Sequence, residues 1–384
     1  MDFAETSEQT LLREAVRKIA SGFGHAYCVE KARSGKKPTE LWNALAKAGF
    51  LGVSLPEEHG GGGLGITELS LVCEELGAAG CSLFLLVVSP GICGSIIARH
   101  GTDAQKKRWL PDIASGRFKM AFAITEPDAG SNSHKLATVA TRDGEGYVVR
   151  GQKYFISGVD ESDAVLVVVK TGTDPKTGRG QLSLVVVDSD APGLKKTLIP
   201  VEMVASDRQF TLFFDDVRVA ADRLIGSEGD GLRQVFSGLN PERITGAAIG
   251  CGIGRYALDK AAVYARERKV WGVPIGAHQG LAHPLAQAKI DVELARLMTY
   301  KAAWLYDVGK DAGEAANMAK YAAAEAALFA LDQAIQTHGG NGLASEYGLA
   351  TMWGMARLLR TAPVSREMIL NFVAEHSLGL PRSY

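Results

Sequence analysis

The chain reads Ile124-Thr125-Glu126-Pro127-Asp128-Ala129-Gly130-Ser131-Asn132 directly after the apolar run Met120-Ala121-Phe122-Ala123. An apolar run that breaks into Pro, Asp, Gly, Ser and Asn is a strand end opening into an ordered loop, because those residues set φ or bond their own backbone. Such a loop gathers amides and hydroxyls toward one spot and can grip a flat, polar-edged ring. A second stretch, Gly151-Gln152-Lys153-Tyr154-Phe155-Ile156-Ser157-Gly158, ends a strand in an aromatic, an aliphatic and a hydroxyl. It offers a stacking wall with a hydrogen bond beside it. Either stretch alone also fits a surface turn of a β-domain; the pair carries the reading.

Around these stretches the periodicity changes twice. From Thr6 to about Arg117 apolar residues recur at three- and four-residue spacing, as in Leu11, Leu12, Ala15 and Ile19, which predicts a helical domain. Between Phe118 and about Val219, β-branched runs such as Ala164 to Val169 and Leu182 to Val187 alternate with polar turns and predict a small antiparallel, barrel-like β-domain. Ala-rich helical segments follow, about Gly231 to Lys269, His278 to Gly309 and Ala312 to His338, then two shorter ones, which predict a bundle. The expected fold class is α+β in three domains: 1–117 helical, 118–226 β, 227–384 a four-helix bundle. Two glycine-rich runs are not nucleotide loops. Gly60 to Gly65 lacks a leading strand and a following Lys-Ser/Thr, so it reads as a flexible helix connector. Gly250-Cys251-Gly252-Ile253-Gly254 lies inside a long helix, where glycines serve close packing.

With 384 residues, 46% hydrophobic and 22% charged, the chain can bury a large core divided among domains. A formal net charge of -1 gives no electrostatic reason to bind nucleic acid or an anionic membrane. The longest apolar runs, such as Leu83 to Val88, are too short to span a bilayer, and Met1-Asp2-Phe3-Ala4 has no leader character, so a cytoplasmic protein is expected. Five cysteines without CxxC spacing indicate neither a disulfide framework nor a zinc site.

The two polar stretches and the helix–strand–helix order, over essentially the full length, resemble the acyl-CoA dehydrogenase family. The resemblance implies an FAD cofactor. It places Phe122, Ile124 and Thr125 toward the pyrimidine side of the flavin, Ser131 where flavin and pantetheine meet, and Phe155, Ile156 and Ser157 along the ring, Ser157 near N5. Relatives often have Trp-Ile-Thr at the last three, so this chain keeps the aromatic wall and the hydroxyl; Asn132 replaces a common Asp. Arg266 to Gly272 with His278-Gln279, and Gln336-Thr337-His338-Gly339-Gly340-Asn341-Gly342, resemble motifs for the FAD pyrophosphate and adenine. Arg268 suits a bidentate phosphate contact, Gln279 a hydrogen bond to phosphate or adenosine, and the Gly339-Gly340 pair a close backbone approach, with Gln336 in the same cofactor-binding set. In the family these segments reach a neighbouring subunit's flavin, which implies a homotetramer built as a dimer of dimers.

Desaturating an acyl thioester requires a base that faces the flavin across the acyl chain, and a carboxylate desolvated by that chain suits the task. Many relatives carry it in a loop as Tyr-Glu-Gly-Thr-Ser, but here the loop reads Leu359-Arg360-Thr361-Ala362-Pro363-Val364-Ser365-Arg366, with Ala362 or Pro363 in its place. Gly238-Leu239-Asn240-Pro241-Glu242-Arg243-Ile244 resembles instead the helix-borne Glu-Arg pair of the branched-chain and long-chain members. The resemblance therefore assigns Glu242 as the base and Arg243 to orient either the loop or that carboxylate, with Ser131, Asn240 and Ala362 also against the substrate. Pro at the first position of a helix followed by Glu is also favoured by propensity and the helix dipole alone. The implied function is an FAD-dependent acyl-CoA dehydrogenase of fatty-acid β-oxidation that forms a trans-2-enoyl-CoA and passes electrons to an electron-transfer flavoprotein. Two alternatives stay open: an acyl-CoA oxidase or flavin monooxygenase of the same fold, and a flavin-binding regulatory protein with little dehydrogenase activity. Glu126 reads as a turn cap, and His100, His278 and His338 as helix-end residues.

Overall fold

A computed structural model describes residues 4–382 except Thr177. The chain opens with helices α1 (Ser7–Ser21), α2 (Gly24–Ser34), α3 (Thr39–Lys47) and α4 (Ile66–Ala78). Thr6 starts α1 with a capping box, its hydroxyl accepting from Gln9 while the Gln9 side chain returns to the Thr6 amide. The Gly60 to Gly65 connector is not flexible in the way its composition suggests. Its amides bond back to the carbonyls of Pro56, Gly52 and Leu55 at 2.8 to 3.0 Å, and a side chain at Gly61 or Gly62 would strike that backbone. Next, α5 (Phe84–Leu86) runs through a π-helical stretch, Val87–Gly94, into α6 (Ser95–His100), and α7 (Asp103–Ala114) follows. Such π-turns recur at functional sites.

Eight strands form one sheet: β1 (Met120–Ala123), β2 (Val139–Asp143), β3 (Gly146–Ser157), β4 (Ala164–Thr173), β5 (Gly180–Asp188), β6 (Leu194–Ile199), β7 (Gln209–Ala220) and β8 (Leu224–Ile225), in the order β6-β7-β3-β2-β4-β5-β8 with β1 on β4. The sheet is not wholly antiparallel. Both β1 and β2 pair with β4 in parallel, β1 along Ala164 to Val167 and β2 at Lys170. They line one flank of β4 in succession, so the chain between them leaves the sheet and returns to it. That excursion contains the Ile124 to Asn132 motif.

The bundle comprises α8 (Gly231–Glu267), α9 (Gln279–Asp307) and α10 (Gly313–His338), the short α11 (Trp353–Leu358) and α12 (Arg366–Phe372), with a ribbon of β9 (Lys269–Val270) and β10 (Val273–Pro274) before α9. Three helices are long, and α4 of the N-terminal region packs along α8 as well as the bundle does. The glycines of the 250–254 run make this possible. A side chain at Gly252 would strike the Glu74 carbonyl and Gly77 of α4, one at Gly254 would strike Val292 of α9, and a Cβ on Gly250 would come within 3.1 Å of the Ala323 carbonyl of α10. Beside this contact Glu74 and Glu75, both at most 1% exposed, meet Arg13, Arg255 and Arg296, which ties α1, α4, α8 and α9 together.

Candidate active site

The excursion between β1 and β2 is pinned by one carboxylate. Glu126, buried, accepts from the Ala137 amide at 2.6 Å, the Thr138 amide at 3.0 Å and the Lys153 ammonium at 2.9 Å. Lys153 is fully buried on β3 and also donates to the Ile124 carbonyl at 3.0 Å. Burial pulls its pKa down to about 8 against the opposing pull of Glu126. Glu126 thus closes the base of the loop, the capping role that its place in the sequence predicts. What remains at the rim are Phe122, Ile124 and Thr125, each half-buried, and Ser131, exposed.

Phe155 faces the same rim from the end of β3. Its backbone is at φ 55°, within the left-handed region, at a register shift between Lys153 and Ile156, and its ring is 49% exposed. A bulky residue held this way carries strain of about 1–3 kcal/mol, which surrounding structure sustains where a ligand needs it. The Tyr154 amide donates to the Thr125 carbonyl at 2.8 Å, joining β3 to the loop. Ser157 is half-buried and donates to Gln209 Oε1 at 3.0 Å, whereas Ile156 is 2% exposed in the core of the β-domain. The Ile156 side chain is therefore turned away from the exposed face that Phe155 presents. An exposed aromatic face, two hydroxyls and an open-backbone turn at Gly130 fit a flat heteroaromatic ring with polar edges.

Helix α8 supplies the carboxylate. Pro241 is ten residues inside this helix rather than at its start, so the dipole of a first turn does not account for Glu242. Lacking an N–H, Pro241 leaves the Ser237 carbonyl free, and the Tyr306 hydroxyl of α9 donates to it at 2.9 Å. Glu242 keeps some accessible surface, yet the protein around its carboxyl pushes its pKa up to about 7, while Arg243 and Lys320 pull against the rise. Arg243 is buried, donates to Asn240 Oδ1 at 2.7 Å, and leaves its Nε buried without a partner. Cys93 of the π-helical stretch feels the Glu242 charge, and its Sγ lies 3.6 Å from the Ala121 carbonyl of β1. Leu85 packs where a side chain on Gly158 would go, and Ile92 and Ile96 do the same at Gly238. The 84–100 helical run therefore packs against both the end of β3 and α8, between the β-domain rim and the helix that carries Glu242.

The residues that the resemblance implies for the pyrophosphate and adenine lie elsewhere. Arg268, Gln279, Gln336, Gly339 and Gly340 are exposed and gather at the far end of α8, where Tyr264 stacks on His338 at 4.2 Å and Asn341 donates to the Tyr264 hydroxyl at 3.1 Å. Glu242 and Glu267 are 25 residues apart on this helix, roughly 38 Å. Neither Gly339, at φ 58°, nor Gly340 has anything near the position of a side chain, so backbone can be approached there. Sequence reasoning missed Lys153 as the loop's anchor and the buried Lys320 of α10. Lys320 did carry a signal: a lysine on the same helical stripe as Ala316, Ala319, Ala323 and Ala324.

A rim suited to a flat ring and a carboxylate of raised pKa on a bundle helix fit a flavoprotein oxidoreductase. The chain belongs to the acyl-CoA dehydrogenase family, an FAD-dependent enzyme family: its N-terminal, middle and C-terminal domain descriptions match residues 6–117, 121–217 and 229–378. It is 60% identical to acyl-CoA dehydrogenase FadE12 of Mycobacterium tuberculosis over 100% of this chain and 99% of that one. The glutaryl-coenzyme A dehydrogenase glutaryl-CoA complex superposes with a TM-score of 0.94 at 31% identity, covering 100% of this chain and 98% of that one. The FAD complex of PigA gives 0.92 at 27% identity, covering 99% and 100%.

Proposed function

We propose that this enzyme desaturates an acyl-CoA between the α and β carbons of its acyl group, with Glu242 removing the α-proton. One observation carries the reading: a carboxylate of raised pKa, still partly accessible, stands on α8 within electrostatic reach of the helix turn that touches β1. Bound FAD supplies the acceptor for the β-hydride, and Phe155, Ser157, Thr125 and the loop closed by Glu126 hold its ring. Arg243, oriented by Asn240, and Lys320 favour the charged form of Glu242 before the proton moves. An apolar acyl chain entering the slot expels water and raises the proton affinity further, so that the proton stays once taken. A main-chain amide in the Ala362 loop polarises the thioester carbonyl, a task that needs no particular side chain.

Arg268, Gln279, Gln336, Gly339 and Gly340 hold the far half of FAD belonging to a neighbouring copy, because 38 Å of helix separates them from their own slot. A homotetramer is supported by α9, where Ile290, Leu294, Leu297 and Trp304 are each more than half exposed at helical spacing. An electron-transfer flavoprotein as oxidant, and a place in cytoplasmic fatty-acid β-oxidation, complete the proposal. Among the described residues no helix is long and apolar enough to cross a membrane. Acyl-CoAs of graded length and branching, mixed anaerobically with the yellow enzyme, identify the substrate as the one that bleaches it fastest. Turnover coupled to a flavoprotein without peroxide supports the dehydrogenase; stoichiometric peroxide in air makes it an oxidase.

A further inference from the structure

Strands β3 and β7 run side by side with Ser157 directly opposite Gln209. Across that pair the Ser157 hydroxyl donates to Gln209 Oε1 at 3.0 Å, and the Gln209 amide nitrogen donates to the Asp207 carbonyl at 3.4 Å. The second bond sets the first. A turned amide would put Oε1 against the Asp207 carbonyl oxygen, two acceptors with no proton between them. Gln209 is 7% exposed and Asp207 is 3% exposed, so both depend on the protein for partners. Three further bonds hold the pair in place: the Gly158 amide donates to the Arg208 carbonyl at 2.9 Å, and the Phe84 and Leu85 amides donate to the Asp207 carboxylate at 3.3 Å each. Ser157 itself stays half-buried, and Phe155, two residues before it, keeps an exposed ring.

A serine hydroxyl carries one proton. With that proton committed to Gln209, Ser157 meets a ligand at the rim only through its oxygen lone pairs. Uptake of a hydride turns an acceptor nitrogen of a flavin ring into an N–H donor, so a lone pair at that edge favours the reduced ring, whereas a freed hydroxyl would donate to the oxidised one. We propose that Gln209 is a positioning residue that holds the Ser157 hydroxyl as a hydrogen-bond acceptor toward the flavin and thereby raises the midpoint potential of the bound cofactor. The proposal rests on the reading that sets Ser157 at the hydride-accepting edge of the ring. A glutamine that served only to pair β3 with β7 would act on the stability of the sheet and leave the potential alone.

The test is the two-electron midpoint potential of the FAD-loaded enzyme, measured without substrate by equilibration with a reference dye. Gln209→Leu fills similar space and removes the acceptor. Its equilibrium should shift about tenfold toward oxidised flavin, a fall of about 30 mV. In a Ser157→Ala background there is no hydroxyl to hold, so adding Gln209→Leu should leave the potential where Ser157→Ala alone puts it. An unmoved potential in Gln209→Leu overturns the proposal, and so does an equal fall in both backgrounds, which marks a general loosening of the sheet. Gln209→Met decides by the same comparison if Gln209→Leu does not load FAD. Ser157→Ala by itself tests the underlying reading and should lower the potential. No change there removes Ser157 from the ring edge and takes the proposal with it, whereas a fall in Ser157→Ala with none in Gln209→Leu overturns the role of Gln209 alone.

Discussion

Glu242 and Lys153 carry opposite lessons about buried charge. Among the described residues the Glu242 carboxyl has no hydrogen-bonded partner of opposite charge, and burial raises it to about 7. A base must be ionised to act, so the rate of flavin reduction should climb through about pH 7 and fall below it as the carboxyl takes up protons; stopped-flow bleaching between pH 5.5 and 9 measures this. A flat profile across that range would detach Glu242 from the rate. Lys153 is fully paired, and Lys153→Met would leave Glu126 buried without its cation. That change should cost about 3–5 kcal/mol of stability and release FAD on dilution, read by melting and by flavin fluorescence of the filtrate. Retained flavin and an unchanged melting temperature would show that the loop is anchored otherwise. Glu242 and Phe155 were legible in the sequence through local motifs. Lys153 and Lys320 were not, because each meets its partner across the fold, at a sequence distance that no spacing rule spans.

Among the elements, the helical run 84–100 matters most, since it packs against β1, the end of β3 and α8 at once. It starts on a carboxylate from far along the chain: Asp207, 3% exposed, accepts from the Phe84 and Leu85 amides at 3.3 Å each. Burial and the nearby Glu161 raise its pKa to about 6. A raised carboxyl pKa stabilises the fold fully below the unfolded value near 4, and that contribution disappears as pH rises through about 6. Asp207→Asn should therefore gain stability relative to the wild type on going from pH 5 to pH 7.5, by about 1.4 kcal/mol, followed by thermal melting. An equal difference at both values would contradict this. The close contact of α4 with α8 makes its own demand: Gly252→Ala places a methyl against the Glu74 backbone and should destabilise by about 1–3 kcal/mol. The long helices and the inner strands were readable from period alone. The parallel seats of β1 and β2 on β4 were not, because strand pairing between distant segments leaves no local pattern, and neither was Pro241 inside α8, where Tyr306 compensates the missing donor.

For the whole molecule, cofactor binding and assembly are expected to be one event. The apolar stripe of α9 and the exposed Trp271, at 89%, call for covering protein, and the residues suited to the FAD phosphates stand too far from their own slot. Leu294→Glu with Leu297→Glu should yield a smaller assembly that loses FAD at concentrations where the wild type keeps it, measured by light scattering and the absorbance of retained flavin. Full flavin retention by a monomer would separate the two events. The central claim is narrower, that the proton acceptor is the carboxylate on α8. Its most direct test is anaerobic stopped-flow mixing of FAD-loaded Glu242→Gln with the best acyl-CoA: ligand binding should persist while bleaching slows by several orders of magnitude, and bleaching at close to the wild-type rate would contradict the account.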